Sequence, residues 1–272
     1  MANPDPAIEA ADSNQPGAER PPWRSRPRKI LVVLPAFNEE ADLGRLLERI
    51  DNDMHEDGVP YEVILVDDGS TDGTLRVVEK YAEQMPIRLH RHAEIQGLGA
   101  TIRDGLQLAV SVCGEADIIV VMDADNTQTP GLIRSMTRLV KEGSDVVIAS
   151  RYQPGSLVVG VPFHRRLLSG IASILFRLAF PIAGVKDFTC GYRAYRSSVL
   201  KAAFDRYGDD LVSEEGFQCM VDLLMKLRKM DLVFREVPLI LRYDAKEGAS
   251  KMKVMQTILR TLGLMWRRRF RR

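Results

Sequence analysis

Five times between residues 30 and 150, a short apolar run ends in a polar loop, and after the first four of these an amphipathic segment follows. Residues 30–34 lead past Pro35 into a segment with Leu43, Leu46, Leu47 and Ile50 on one helical face, and residues 61–66 lead into Leu75, Val78 and Tyr81. Residues 87–90 precede Gly97 and a helical pattern through Ile102, Leu106, Ala109, Val110 and Cys113. Residues 118–122 precede a helix expected over about 130–141, and residues 145–149 end at Ser150 and Arg151. Apolar runs too short for helices, separated by segments of helical period, are βα units, and successive βα units build an α/β fold with a mostly parallel sheet flanked by helices. Ligands of such sheets collect at the carboxyl ends of the strands.

The acidic residues stand at those ends. The run Ile118 to Met122 meets Asp123 and Asp125, which one intervening residue places on the same side of an extended segment, where both can reach one divalent cation. Asp67 and Asp68 follow the second run, ahead of Gly69 and Ser70. They read either as acceptors for a ligand or as a turn in which aspartate caps the next helix.

At 272 residues and 45% hydrophobic, the chain has the apolar material for one large domain. The 38 basic against 37 acidic residues give a formal net charge of +1, and no sign of a nucleic-acid partner. Six prolines among small polar residues mark 1–27 as a disordered leader, leaving 28–253 as the domain and 254–272 as an appendage. Three scattered cysteines and no signal-peptide pattern point to a reducing, cytoplasmic setting, and no apolar run is long enough to span a membrane. Residues 167–183 are apolar but interrupted by Arg177 and Pro181, which suits a core helix or one lying in a membrane interface, and residues 187–196 read as a polar loop. The carboxyl end reads as an amphipathic basic helix: Val254, Ile258, Leu262 and Met265 share a face and five arginines crowd the last six residues, a pattern suited to an anionic membrane surface.

Taken in order, Pro35 to Glu40, Asp67 to Asp72, Gly97 to Gly99, Met122 to Asp125, Ser150 and Arg151, Gly191 to Tyr195, and Ser250 with Lys251 resemble the motifs of family-two glycosyltransferases of the Rossmann-like GT-A fold. The likeness, over about residues 29–255, is greatest to the polyprenyl-phosphate hexosyltransferases. It implies a metal-dependent, inverting transfer of a hexose from a nucleotide sugar, of GDP-mannose or UDP-glucose type, to a polyprenyl phosphate, by a protein peripheral on the cytosolic membrane face. Pro35, Phe37, Glu39, Asp67, Asp68, Gly97 and Asp123 would then bind the nucleotide sugar. Asp123, Asp125 and Thr127 would hold Mg²⁺ or Mn²⁺, hard cations that take oxygen donors. Asp125, Arg151 and Arg193 would be catalytic, with Arg193, Ser250 and Lys251 on the acceptor phosphate. Two departures from the pattern stand out: Thr127 occupies the place of a glutamine, with Gln128 one position later, and Cys190 precedes Gly191 where many relatives carry serine. Arg165, Arg166 and Arg196 read instead as solvated or salt-bridged. A hydroxyl acceptor would require a base, for which Asp187, Glu214 and Glu215 are the candidates, and a non-catalytic nucleotide-sugar sensor is the alternative outside enzymes.

Overall fold

The computed structural model describes residues 28–245. The expected leader at 1–27, Ser250, Lys251 and the helix and arginine run of 254–272 lie outside the described residues. The alternation expected from the apolar runs is present as β1 (Ile30–Ala36), α1 (Glu40–Glu56), β2 (Tyr61–Asp67), α2 (Thr74–Ala82), β3 (Ile87–Arg91), α3 (Leu98–Val112), β4 (Ile118–Val121), α4 (Leu132–Lys141) and β5 (Val146–Ser150). Then come β6 (Leu157–Val159), α5 (Phe163–Ala179), β7 (Arg193–Arg196), α6 (Ser197–Tyr207), α7 (Cys219–Leu227), β8 (Phe234–Pro238) and β9 (Ile240–Arg242).

Among the described residues the main sheet has seven strands in the order β3-β2-β1-β4-β7-β5-β8. Every residue of β1, β2, β4 and β5 is buried, as a parallel sheet covered on both faces demands. Helix α3 approaches so closely that a Cβ on Gly105 would lie 2.6 Å from Val33, which restricts that position to glycine. The smaller sheet pairs β6 with β9, and β9 also bridges to Gln128 in the loop after β4.

One expectation is overturned. Part of the stretch read as a polar loop is β7, antiparallel between β4 and β5, with Arg193 opposite Val121 on one side and Ile148 on the other. Tyr192, Arg193, Ala194 and Tyr195 are all fully buried. Ladder pairing on both edges, which no local pattern reveals, makes a central strand of a segment with two arginines.

Candidate active site

The carboxyl ends of β1, β2 and β4 lie side by side. Ala36 is in register with Asp67 and Val33 with Val121, and the Met122 amide donates to the Val33 carbonyl at 3.1 Å. The loops that follow are laced together. Asn38, in the left-handed region at φ 53°, donates its amide to Ser70 Oγ at 2.9 Å and accepts the Thr71 amide at 2.8 Å. The Glu39 amide donates to Thr74 Oγ1 at 2.8 Å, and Glu40 accepts the Gly73 amide at 2.8 Å. Phe37 and Glu39 are half-buried at this crest, whereas Pro35 is buried within β1.

The two neighbouring aspartates have opposite surroundings. Asp67 is fully buried, with Oδ2 accepting the Ser70 amide at 3.2 Å, and its Oδ1 has no hydrogen-bond partner. A buried carboxylate oxygen without a donor is costly, so this atom suits an N–H or O–H brought by a ligand. Asp68 departs from the expectation of direct contact. Its oxygens accept the Gln96 amide at 2.8 Å, the Gly97 amide at 2.9 Å and His92 Nδ1 at 2.8 Å, which makes it the anchor of the turn into α3. Gly97 itself has φ 88°, a conformation open to glycine without strain. Neither Asp67 nor Asp68 caps α2, whose N-cap is Gly73; Asp72 accepts the Thr74 amide at 2.9 Å in a local turn.

After β4 the burial alternates: Met122 and Ala124 are buried, and Asp123 and Asp125 reach partly into solvent. Each carboxylate is pre-oriented. The Asp123 amide donates to Gln128 Oε1 at 3.0 Å while Gln128 Nε2 donates to Asp123 Oδ2 at 2.6 Å. Asp125 Oδ1 accepts the amide of Thr127 at 3.2 Å and its hydroxyl at 2.7 Å. Thr127 is buried, and its hydroxyl steadies Asp125 instead of facing outward, a correction to its expected place among the metal ligands. Asn126 makes the turn in the left-handed region at φ 56°, which asparagine tolerates, and accepts from Arg49 Nη1 at 2.6 Å. Two partly exposed carboxylates in one loop are hard oxygen donors, which fit Mg²⁺ or Mn²⁺.

Directly after β5 stands Arg151. Asp187 grips it with Oδ2 to Nε at 2.8 Å and Oδ1 to Nη2 at 2.7 Å, and Thr189 adds its hydroxyl. Glu236 holds the Lys186 and Asp187 amides at 2.6 and 2.7 Å, so β8 fixes the pair in place. Burial would raise the Asp187 pKa, but Arg151's charge and hydrogen bonds more than offset it and hold the carboxyl below its ordinary value. Asp187 is fully buried, and both of its oxygens are engaged by Arg151. Arg151 keeps 24% of its side chain exposed, enough to meet an anion. Burial and then Asp187 push the Cys190 thiol up to about 12, so it remains protonated.

Arg193 does not join Arg151. It is fully buried, with Nε donating to the Cys190 carbonyl at 2.9 Å, Nη1 to Met220 at 2.8 Å and Nη2 to Phe188 at 2.8 Å. Its guanidinium ties three backbone segments together, and the expected contact with acceptor phosphate is replaced by this structural role. Gly191 lies beside Asp123, where an added Cβ would be 3.6 Å from Oδ1, so the loop Arg193 braces borders the acidic pair. Arg196 is salt-bridged to Asp145 at 3.1 Å. The Glu214 carbonyl packs against the start of α3, where a Cβ on Gly99 would come within 2.1 Å of it.

Helix α5 borders the Arg151 side. The Tyr152 hydroxyl lies 2.8 Å from both the carbonyl and the hydroxyl oxygen of Ser169, and Arg151 lies over the Tyr152 ring. Phe176 stacks on Phe188, and Ser173 donates to the Lys186 carbonyl at 2.7 Å, so one face of the helix is built into the domain. The other face exposes Leu167, Ile171, Ile174, Leu175 and Leu178, at helical spacing. The helix thus has a packed side, as the core reading expects, and an apolar outer side. No helix among the described residues is long and apolar enough to cross a membrane.

Comparison with known proteins gives concordant matches. The family model for glycosyl transferase family 2 matches residues 31–204. The chain is similar to a dolichol-phosphate mannosyltransferase of Pyrococcus furiosus, 34% identical over 83% of this chain, though it spans only 59% of that relative's length. It is 31% identical to a polyprenol monophosphomannose synthase of Mycolicibacterium smegmatis over 87% of this chain and 86% of the relative. An undecaprenyl-phosphate mannosyltransferase of Micrococcus luteus is 30% identical over 82% and 87%. A crystal structure of glucosyl-3-phosphoglycerate synthase from Mycobacterium tuberculosis, in complex with Mn²⁺, UDP and phosphoglyceric acid, superposes with a TM-score of 0.64 at 21% identity. It covers 89% of this chain and 78% of that one, a likeness of fold.

Proposed function

The chain belongs to glycosyl transferase family 2, and from that membership we propose that it transfers a hexose from a nucleotide sugar to a polyprenyl phosphate, working peripherally on the cytosolic face of a membrane. The observation that carries this reading is the linkage of Arg151 through Tyr152 and Ser169 to a helix whose outer face is apolar. A partly exposed guanidinium beside a lipid-compatible surface suits an acceptor with an anionic head and a hydrocarbon tail. The names of the relatives, which specify dolichol, polyprenol or undecaprenyl phosphate, support the same acceptor class.

In the proposed reaction Asp67 Oδ1 accepts a hydrogen bond from the donor nucleotide, with the half-buried Phe37 and Glu39 beside it. A divalent cation bound by Asp123 and Asp125 would offset the charge developing on the leaving nucleoside diphosphate. Arg151, pre-oriented by Asp187, holds the acceptor phosphate through Nη1, the nitrogen that Asp187 and Thr189 do not engage, in a charge-assisted hydrogen bond. The phosphate oxygen is already ionised at neutral pH and attacks the anomeric carbon from the side opposite the diphosphate, inverting that centre. No base is needed, consistent with Asp187 being tied to Arg151. Catalysis then comes from orientation and charge stabilisation.

Transfer assays with GDP-mannose and UDP-glucose, offered against polyprenyl phosphate, phosphoglycerate and a free sugar, test the acceptor class directly. Incorporation into lipid is the expected result; incorporation only into the soluble acceptors would refute the reading. The acidic loop makes its own prediction. Gln128→Leu removes the clamp on Asp123 and should lower turnover about tenfold or more, in the range typical for lost support of a metal ligand. Thr127→Val should cost only a few-fold, as befits one hydrogen bond of about 1 kcal/mol. A reversed ranking in initial-rate measurements would return Thr127 to the ligand set.

The outer face of α5 gives a third test. Each of its half-exposed aliphatic residues stands to gain about 1 kcal/mol on entering hydrocarbon. Leu175→Glu combined with Leu178→Glu should abolish sedimentation with anionic vesicles while turnover of a short, soluble isoprenyl phosphate persists. Undiminished sedimentation would point to another docking surface.

A further inference from the structure

Glu236, at the centre of β8, opens a stretch that meets both halves of the candidate site. Its Oε1 accepts two consecutive main-chain amides, those of Lys186 at 2.6 Å and Asp187 at 2.7 Å, and its Oε2 accepts Gln153 Nε2 at 3.1 Å. One half-buried carboxylate thus grips the segment that carries Asp187 and the turn that follows Arg151. The strand ladder sets where it stands: Glu236 is in register with Ile148, and Pro238 with Ser150, the residue before Arg151. Alternation puts Glu236 and Pro238 on one side of the strand. A Cβ on Gly155, which has φ 87°, would lie 3.8 Å from Pro238 Cβ, so the turn after Arg151 rests on that side.

Past Pro238 the same stretch reaches the acidic loop. The Leu239 amide donates to the Ser150 carbonyl at 2.9 Å, Leu241 bridges to Gln128, and the Arg242 amide donates to the Thr127 carbonyl at 2.8 Å. Gln128 and Thr127 are the residues that orient Asp123 and Asp125. Residues 236–242 therefore join the clamp on Arg151 to the loop of the carboxylate pair without a break.

We propose that Glu236 is a positioning residue for the transfer: acting through Asp187, it sets Arg151 at a fixed place relative to the acidic loop. This rests on the acceptor reading given above and extends it to a residue outside the sequence motifs. Without the carboxylate, the Lys186 and Asp187 amides lose the oxygen they share. The Asp187 side chain, which holds Arg151 Nε and Nη2, then shifts with its own backbone. A misplacement of about 1 Å in a group that orients a reactant costs about 100-fold in rate. Glutamine at this position keeps an oxygen for the two amides, and Gln153 can turn its own amide to accept from the new NH₂.

The test compares the full-length wild type with Glu236→Ala and Glu236→Gln, using nucleotide sugar, Mn²⁺ and polyprenyl phosphate. Glu236→Ala should lower kcat/KM for the lipid phosphate about 10- to 100-fold, while calorimetric affinity for GDP or UDP and hydrolysis of the donor without acceptor stay within about twofold. Glu236→Gln should recover most of the loss. In nitrogen-15 spectra the Arg151 Nε–H signal, identified by its absence from Arg151→Lys, should shift in Glu236→Ala and return in Glu236→Gln. Gln153→Ala, which removes only the third contact, should show the same split at about fivefold, the equivalent of one hydrogen bond, and stands in should Glu236→Ala not fold. Equal losses of transfer, donor binding and hydrolysis, an unmoved Arg151 signal, or a glutamine variant no better than alanine would overturn the proposal. If the wild type leaves the lipid unmodified, the acceptor reading fails, and the Arg151 signal still decides whether Glu236 positions that guanidinium.

Discussion

Replacing Asp125 with alanine is expected to lower hexose transfer about 100- to 1000-fold, the range seen when a preorganised group that stabilises developing charge is removed. The protein should stay folded. Asp125 is partly exposed in a loop, and it accepts the amide and hydroxyl of Thr127, two residues away. Their loss should cost about 1 kcal/mol, a small fraction of a domain's stability. Chelation with EDTA should reproduce the loss in the wild type, and added Mn²⁺ or Mg²⁺ should restore activity to the wild type but not to the variant. Full turnover in chelator would remove Asp123 and Asp125 from the role proposed for them.

Arg193→Met should behave in the opposite way, as a folding defect. Removing the guanidinium leaves the carbonyls of Phe188, Cys190 and Met220 without their donor in a fully buried setting. Loss of a buried, multiply bonded charged group costs about 3–5 kcal/mol, a large share of what holds a domain together. Urea denaturation should therefore show a sharply lowered midpoint, or the variant should fail to accumulate in soluble form. A variant of native stability that had lost only its turnover with lipid phosphate would restore the phosphate-binding role expected from the motif.

Arg193 also shows where sequence reading stops. Strands β1, β2, β4 and β5 were legible because burial on both faces demands uninterrupted apolar runs, and the loops at their ends carried the acids. Strand β7 was not, since its pairing partners, β4 and β5, are distant in sequence and its own residues include two arginines. Asp67 and Asp68 looked equivalent as neighbours in one motif. The structure turns one toward an unmet acceptor position and the other toward two amides and a histidine. Gln128 was visible as a displaced glutamine, but its clamp on Asp123 depends on the left-handed turn at Asn126.

The surroundings of Arg151 likewise needed tertiary structure. The sequence marked it as an anion binder, and the structure adds the bidentate pair with Asp187, which fixes the guanidinium while part of it remains open to solvent. The apolar segment near residue 170 was ambiguous for a related reason. Periodicity identifies a helix with apolar residues all round, and only packing against Phe188 and Lys186 shows which side is left outside.

The central claim is that a hexose becomes bonded to a polyprenyl phosphate oxygen. Mass spectrometry of the lipid extract, after incubation of the full chain with nucleotide sugar, divalent cation and polyprenyl phosphate, tests it most directly. The account predicts a lipid heavier by one hexose residue, formed by the wild type and absent with Asp125→Ala. An unmodified lipid, with the sugar recovered on a soluble hydroxyl acceptor or released by hydrolysis, would contradict it.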